Sequence, residues 1–400
     1  MEIDSGLENI PDYTLSEDQY LLQLGSYNGS SKEIIDRLIK EIKVNSMAPY
    51  YRHLKETLAD FPYDEALYKE MEAVNEKEIS GLTQKIKEAE GEDETELDAL
   101  ACNLELAQYY AKIVDRTKAV ETYEKALELP QSSGSKIDIL LAVVRIEFFF
   151  NDYALVGKYL DQVKTHIDKG GDWERRNRYK TYNGIYLMAT RKFAEASKLL
   201  IDSLATFTST ELCSYEQVAQ YAIVCGVLSL DRVDLKEKII DLPELLSIYS
   251  NAQDLLDPIV SVTNSLYTCQ YGCFFQYLLE THDRLLVGNK YLHQHAQYFL
   301  RELRCKAYGQ LLESYKSLST KSMAQSFNIS EDFLDQDLCR FIPTKKLNCT
   351  IDKVNGIIET NRPDNKNNQY HLLIKQGDQL LTKLQKYGAA VKLSGAEKVA

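Results

Sequence analysis

Apolar residues recur at helical spacing along most of the chain. Between Ser31 and Ile42, large aliphatic residues occupy one face of a helix, at positions Ile34, Ile35, Leu38, Ile39 and Ile42. A second amphipathic run extends from Leu300 to Leu318, with its apolar face at Leu300, Leu303, Ala307, Leu311 and Leu312 and continuing to Tyr315. These patterns predict a mostly helical protein, with short helices in an N-terminal region over residues 1–95.

Residues 96–205 carry a repeated pattern. Leu106, Ala107 and Tyr110, followed by Ala119, Tyr123 and Ala126, have the spacing of a tetratricopeptide helix pair, in which small residues let two antiparallel helices approach. Looser copies fall at Val156, Leu160 and Val163, and at Gly184, Leu187, Ala196 and Leu200. Equivalent positions Ala119, Val156 and Ala196 are 37 and 40 residues apart. We therefore expect a solenoid of stacked helix pairs, continued by further helices over residues 206–316.

The period changes between residues 317 and 364. The spacing predicts a helix over Thr320–Phe327 and a second helix that begins after the N-cap Ser330 and buries Phe333, Leu334, Leu338 and Phe341. Leu347, Cys349 and Ile351 then alternate with polar residues, Asn355–Gly356 is a turn signal, and residues 357–360 form a return strand. Two helices followed by a hairpin predict a winged helix.

Residues 365–400 are predicted to form a long terminal helix and tail. An apolar seam steps by four and three residues through Tyr370, Ile374, Gly377, Leu381, Leu384, Gly388 and Val391, and Leu373, Leu380 and Tyr387 widen it. A lone helix with this seam is not stable in water, so it needs a partner. The seam could pack on its own chain or enter a bundle with other subunits. We favour the bundle, because the preceding domain already looks complete. Six lysines against two acids make this tail basic.

Composition narrows the function classes. The net charge is -13, which disfavours general binding to nucleic acid or to an anionic membrane. The longest strongly apolar run, Ile139–Val144, is too short to span a bilayer. The opening residues lack the pattern of a secretory signal, so the eight cysteines are expected to be reduced, in the cytoplasm or nucleus.

Candidate catalytic and metal-binding residues are weak. His293 and His295 form a His-x-His pair, but Leu303 and Lys306 stand where a metal-dependent deubiquitinase needs a serine and an aspartate. Cys269 and Cys273 have no second pair nearby, as a zinc site would require. No phosphate-binding loop or serine-hydrolase motif is present. We therefore predict no catalytic residue, no metal site, no cofactor and no small-molecule substrate.

A nucleic-acid-binding winged helix is an alternative, supported by Lys345–Lys346. The charge of its second helix argues against nucleic-acid binding. This helix carries four acidic residues, Glu331, Asp332, Asp335 and Asp337, and one basic residue, Arg340. Such a face would repel phosphates, so nucleic-acid binding is disfavoured.

Tetratricopeptide-like pairs that lead into a winged helix and a terminal helix resemble the PCI family. Over about residues 40–390, local strings are similar to a PCI-domain non-ATPase subunit type of the proteasome lid, at Met47–Tyr51, Gly170–Arg178, Phe207–Leu212, Leu311–Tyr315 and Ile351–Asp364. PCI subunits of the COP9 signalosome and of a translation initiation factor complex are alternatives.

The resemblance implies a non-catalytic scaffold. In that family, neighbouring winged helices pair side by side and terminal helices gather into a bundle. The implied partners are the other PCI lid subunits and the lid deubiquitinase, with the proteasome base and core in the full assembly. The implied hairpin interface comprises Leu347, Asn348, Cys349, Thr350, Ile351, Ile357 and Ile358. The implied helix interface comprises Tyr370, Leu373, Ile374, Leu380, Leu381 and Leu384.

Overall fold

The computed structural model describes residues 10–25, 31–58, 61–89, 96–361 and 365–396. The chain divides into two compact units, Met1–Leu303 and Arg304–Ala400. The finer division into five segments stays a prediction. Within the described residues, no helix combines the length and the apolar character needed to cross a membrane.

The described part of the first unit is helical, which confirms the predicted class. Its helices are α1 (Tyr13–Leu24), α2 (Ser31–Val44), α3 (Ala48–Thr57), α4 (Glu65–Ala89), α5 (Glu96–Lys112), α6 (Arg116–Glu128), α7 (Ser133–Phe149), α8 (Tyr153–Asp168), α9 (Trp173–Ala189), α10 (Phe193–Leu204), α11 (Tyr215–Ser229), α12 (Arg232–Leu235), α13 (Pro243–Asn251), α14 (Gln253–Tyr267) and α15 (Tyr271–Thr281). Single π-helical turns follow α12 and α15, and a short 3₁₀ turn, His293–His295, leads into α16 (Ala296–Ser314).

The N-terminal helices agree with the sequence in one place and differ in another. The apolar face of α2 packs into a core with α1, α3 and α4, with Leu38 and Ile42 fully buried. The expectation of short helices is wrong for α4, which has 25 residues, because good helix formers continue through its polar surface. The acidic composition of Lys87–Asp98 predicts a solvated helix end or linker. Half of this stretch, residues 90–95, lies outside the described residues, which stop at Ala89 and resume at Glu96.

In each of the helix pairs α5–α6, α7–α8 and α9–α10, the two helices are joined by a turn of the same conformation. A non-glycine residue adopts the left-handed conformation at Val114 (φ 59°), Asn151 (φ 61°) and Arg191 (φ 66°). This conformation is uncommon for residues with a Cβ. The three turns are 37 and 40 residues apart, as are the equivalent core positions Ala119, Val156 and Ala196, which are all fully buried. The sequence period therefore corresponds to a structural repeat.

A buried ammonium group links three distant parts of the first unit. The Lys290 Nζ donates to Ser16 Oγ on α1 (2.5 Å) and to the carbonyl oxygens of Phe148 (3.0 Å) and Phe149 (2.9 Å) at the end of α7. Its three hydrogens thus have three acceptors, and a cation suits the negative end of a helix. Burial lowers the pKa of Lys290 to about 7, against an opposing effect of Glu17.

The second unit contains a small sheet and two short helices before the terminal helix. Its elements after α16 are β1 (Ser317–Ser319), α17 (Thr320–Phe327), α18 (Glu331–Phe341), β2 (Cys349–Asp352), β3 (Ile357–Thr360) and α19 (Asn365–Ala396). The sheet order is β1-β3-β2, and both pairings are antiparallel. The two helices and the hairpin of the predicted winged helix are therefore present. Ser330 accepts a hydrogen bond from the Phe333 backbone as the N-cap of α18.

Two expectations for this unit are wrong. The helix predicted to reach Leu318 ends at Ser314, and Leu318 instead pairs with Ile358 in the sheet. Phe333, predicted to be buried, is 37% exposed, whereas Leu334, Leu338 and Phe341 are buried as predicted, and the polar Asp337 is buried beside them (2%). The Tyr308 hydroxyl donates to Asp337 Oδ2 (3.4 Å) and Arg304 forms an ion pair with the same oxygen (3.3 Å). Burial raises the pKa of Asp337, and Arg304 opposes that shift.

Candidate interaction surfaces

Helix α19 presents a continuous apolar surface, which we call the apolar stripe. It consists of Tyr370, Leu373, Ile374, Leu380, Leu381, Leu384, Tyr387 and Val391. Each of these side chains is between 56% and 72% exposed. Every described side chain of α19, from residue 366 to 392, is exposed. The alternative that the seam packs on its own chain is therefore wrong for this structure, and the role of the stripe as an interface stays a prediction.

Two glycines interrupt the stripe within the helix. A Cβ added at Gly377 or at Gly388 would meet no atom within 4 Å. Glycine inside a helix costs about 1 kcal/mol relative to alanine. Its only local advantage is that another backbone can come close. The two positions therefore mark where a partner helix could approach α19 most closely.

The small sheet offers an edge at β2 and not at β3. Strand β3 pairs with β1 on one side and with β2 on the other. The expectation that Ile357 and Ile358 contribute to a free strand edge is therefore wrong, because their backbone groups face ladders on both sides. Ile358 is also fully buried. Strand β2 pairs only with β3 among the described residues.

The other predicted hairpin residues divide between core and surface. Leu347 (5% exposed) and Cys349 (4%) belong to the core of the second unit. Asn348 and Thr350 are exposed, and Ile351 is partly exposed. Asn348 also accepts a hydrogen bond from the Asn361 backbone through its carbonyl oxygen (2.8 Å). Fewer residues of the hairpin are therefore accessible to a partner than the predicted interface contains.

The His-x-His pair is built into the helical packing. His295 Nε2 lies 2.7 Å from the carbonyl oxygen of Ala189, and Arg191 Nε lies 3.3 Å from His295 Nδ1. A carbonyl oxygen only accepts, so Nε2 carries the proton and Nδ1 accepts from Arg191. Both ring nitrogens are thus engaged, and His295 is 7% exposed. Across the described residues, no group of histidine, cysteine and acidic side chains could hold a metal ion.

Three buried cysteines lack the surroundings of a nucleophile. Burial raises the thiol pKa of Cys213, Cys225 and Cys349. A catalytic cysteine needs the opposite shift, because the thiolate is the reactive form.

The arginine-rich first turns of helix α9 make their contacts within their own chain. Its three arginines could have contacted acidic neighbours or capped local helices. In the structure, Arg178 is buried and pairs with Glu211 (3.0 Å), which also accepts from the Tyr182 hydroxyl (2.9 Å). Arg175 pairs with Asp138 (2.7 Å), and Arg176 donates to a backbone carbonyl. The sequence carried no local signal for Asp138 and Glu211, which lie more than thirty residues away along the chain.

Comparisons with known proteins match the same segments. The family model described as 26S proteasome subunit RPN7 matches residues 64–238, a PCI domain model matches residues 279–362, and the model of the RPN7/PSMD6 C-terminal helix matches residues 369–391. The last range contains the whole apolar stripe, from Tyr370 to Val391.

Two yeast relatives match over nearly the full length. The chain is 50% identical to the 26S proteasome regulatory subunit RPN7 of Saccharomyces cerevisiae, over 99% of this chain and 97% of the relative. It is 42% identical to rpn7 of Schizosaccharomyces pombe, over 98% of each. A COP9 signalosome complex subunit 1b of Drosophila melanogaster is 24% identical over 69% of this chain and 53% of the relative.

Proposed function

The chain belongs to the family of the 26S proteasome regulatory subunit RPN7, and we propose that it acts as a non-catalytic scaffold of the proteasome lid. The observation that carries this proposal is the exposed apolar stripe of α19. It occupies the segment that matches the family's C-terminal helix model. A chain that catalysed a reaction would need a site, whereas a scaffold needs surfaces that are incomplete alone.

The stripe is proposed to enter a bundle with terminal helices of other lid subunits. Helix α19 has 32 residues, so it extends about 48 Å at 1.5 Å per residue. Full burial of one large aliphatic side chain is worth roughly 1.5–3 kcal/mol. Burial of Leu373, Ile374, Leu380, Leu381 and Leu384 together would therefore offset the cost of ordering the helix. Exposed lysines beside the stripe, including Lys375 and Lys383, favour a partner with acidic flanks.

The edge of β2 is proposed as the second contact, with the winged helix of a neighbouring PCI subunit. Strand addition uses backbone hydrogen bonds for affinity and alternate side chains for specificity. The exposed Thr350 and the partly exposed Ile351 are available on this strand. Strand β3 takes no part, because both of its edges are occupied.

In this role the subunit supports ATP-dependent degradation of ubiquitinated proteins without a reaction of its own. Its proposed partners are the other PCI lid subunits and the lid deubiquitinase. In the complete assembly it also joins the proteasome base and core. The proposed location is the cytoplasm and nucleus, where that assembly acts.

The first test is affinity purification of the tagged chain at physiological salt, with mass spectrometry of the proteins that co-purify. We expect the wild type to recover lid subunits and the proteasome core. The triple variant Leu380→Asp, Leu381→Asp and Leu384→Asp should lose them while the isolated chain keeps its helical signal, because charged residues cannot be buried in a bundle.

The matched control replaces Gln376, Gln379 and Gln385, which lie off the stripe on the same helix, with aspartate. It changes the charge equally and should assemble normally. Normal assembly of the leucine variant would rule out the bundle. Recovery of signalosome subunits by the wild type would move the scaffold to that complex.

A further inference from the structure

The turn between α9 and α10 departs from the two equivalent turns before it. The earlier turns contain Val114–Asp115 and Asn151–Asp152, and each aspartate side chain caps the following helix. The third turn contains Arg191–Lys192, and α10 has no side-chain cap. An aspartate N-cap commonly stabilises a helix. The third turn therefore gives up a favourable local interaction and places two cations where its equivalents have none.

These cations border a cavity of about 340 Å³ in the first unit. Its lining includes Arg191, Lys192 and Phe193 at the turn, Glu195 on α10, Ser229 at the end of α11, and Tyr298 and Glu302 on α16. The volume lies at the lower end of the range for pockets that hold small ligands or single side chains of a partner.

Two guanidinium groups share one aromatic ring at this cavity. Arg191 Cζ lies 5.1 Å from the centroid of the Tyr298 ring, and Arg301 Cζ lies 5.4 Å from the same centroid. The Phe193 ring stacks on Tyr298 at 5.9 Å with an interplanar angle of 16°. Cation–π contacts of this kind hold arginine side chains in place without neutralising them.

The Arg191 side chain is also fixed from behind. Its Nε donates to His295 Nδ1, as described above, and the chain's described residues supply no hydrogen bond or ion pair to its terminal nitrogens. Arg301 has a neighbouring carboxylate, with its Nε 3.5 Å from Glu302 Oε1. The histidine that resembled a metal ligand in the sequence is thus a positioning residue for this arginine.

We propose that this cavity, which we call the Arg191 site, binds a carboxylate side chain of an acidic peptide segment on a partner protein. A guanidinium with free terminal nitrogens forms paired hydrogen bonds with a carboxylate. Around it, the cations Lys192 and Arg301 stand against the carboxylates Glu195 and Glu302, so the proposed binding rests on the terminal nitrogens of Arg191. The whole chain carries a net charge of -13, so nonspecific attraction of an acidic peptide is disfavoured. Binding would therefore report the local arrangement.

The test measures binding of a fluorescein-labelled hexaglutamate peptide to the full chain by fluorescence anisotropy. A hexaglutamine peptide of the same length is the control ligand. The main variant combines Arg191→Asn and Lys192→Asp, which copies the Asn151–Asp152 turn of the same chain. We expect at least about tenfold weaker binding of hexaglutamate, because a hydrogen bond to a charged group is lost. The thermal midpoint of this variant should rise, because the introduced aspartate would cap α10.

A second variant, Arg301→Gln, leaves the turn intact and should also weaken binding. Lys198→Gln, at an exposed position on α10 outside the cavity lining, should bind as the wild type does. The proposal would be overturned by no binding of hexaglutamate by the wild type at millimolar concentration, by equal binding of hexaglutamine, or by unchanged binding by both site variants. Displacement of the peptide by an equal concentration of inorganic phosphate would assign the site to small anions and overturn the peptide partner.

Discussion

The interior of the first unit and helix α19 differ in how they accommodate groups that are unfavourable in their surroundings, buried charges in the first unit and exposed apolar side chains on α19. In the first unit, even the ammonium group of Lys290 has an acceptor for each hydrogen, and the Arg178 guanidinium has Glu211. On α19, no described side chain is buried, although eight large apolar residues line one face. These two cations find their partners within the first unit, whereas the apolar stripe of α19 is exposed. The contacts inside the first unit stabilise its own fold, whereas the stripe of α19 is proposed to serve assembly.

The largest expected effect comes from breaking the buried ion pair of the first unit. Arg178→Met should lower the free energy of unfolding by about 3–5 kcal/mol, because Glu211 would remain buried without its cation. Urea unfolding followed by circular dichroism measures the change. Arg176→Met is the control, since Arg176 is exposed and makes a single backbone hydrogen bond. Equal losses in both variants would contradict the distinction between buried and exposed arginines.

A smaller effect should appear in the pH dependence of stability. Burial lowers the pKa of Lys290 from 10.5 to about 7, so between these values the unfolded chain binds more protons than the folded chain. Linkage then makes stability rise with pH in that window, by at most about 1.4 kcal/mol per pH unit. Unfolding of the wild type and of Lys290→Met, measured between pH 7 and about pH 9, should show this slope only in the wild type.

Other titratable groups near Lys290 limit the pH range in which the effect of Lys290 can be measured alone. Burial raises the pKa of Glu17, and it also raises the pKa of Tyr13 and Tyr291. Because Glu17 has an ordinary value of 4.5 and the tyrosines of 10.0, measurements near neutral and mildly alkaline pH best separate the lysine. If the free energy of unfolding depended on pH equally in the wild type and in Lys290→Met, Lys290 would not be the source of that dependence.

The smallest effect is expected from removing α19. A chain that ends at Asn361 should keep the thermal midpoint of the full chain, because the described α19 side chains are exposed. Differential scanning fluorimetry measures the midpoint, and the affinity purification described above supplies the positive readout, since the truncated chain should fail to assemble. A large drop in the thermal midpoint would show that α19 stabilises its own chain. It would contradict the difference described between α19 and the interior of the first unit.

Local signals predicted the elements that depend on neighbouring residues. The helical spacing over Thr320–Phe327 and the N-cap Ser330 located α17 and α18, and the three-four spacing located the stripe on α19. The repeat period located the helix pairs, because equivalent core positions recur 37 and 40 residues apart.

Features set by distant residues could not be predicted in this way. Strand β1 has three residues, too few to show a period, and its partner β3 begins only at Ile357. Without β1, the sequence could not reveal that β3 is the central strand. Arg178 likewise gave no sign of Glu211, and Lys290 gave no sign of Ser16. The Arg191 site joins a turn to α16 more than a hundred residues away, so only the structure unites them.

The link from Ser16 to Lys290 also sets an order of events during synthesis. The two residues are 274 positions apart. A ribosome adds about 5–20 residues per second, so α1 exists for roughly 15–55 s before its ammonium partner is made. The carbonyl groups at the end of α7 wait for a shorter part of that interval. Helix α1 is therefore synthesised well before Lys290, and its hydrogen bond to Lys290 forms only when the first unit is nearly finished.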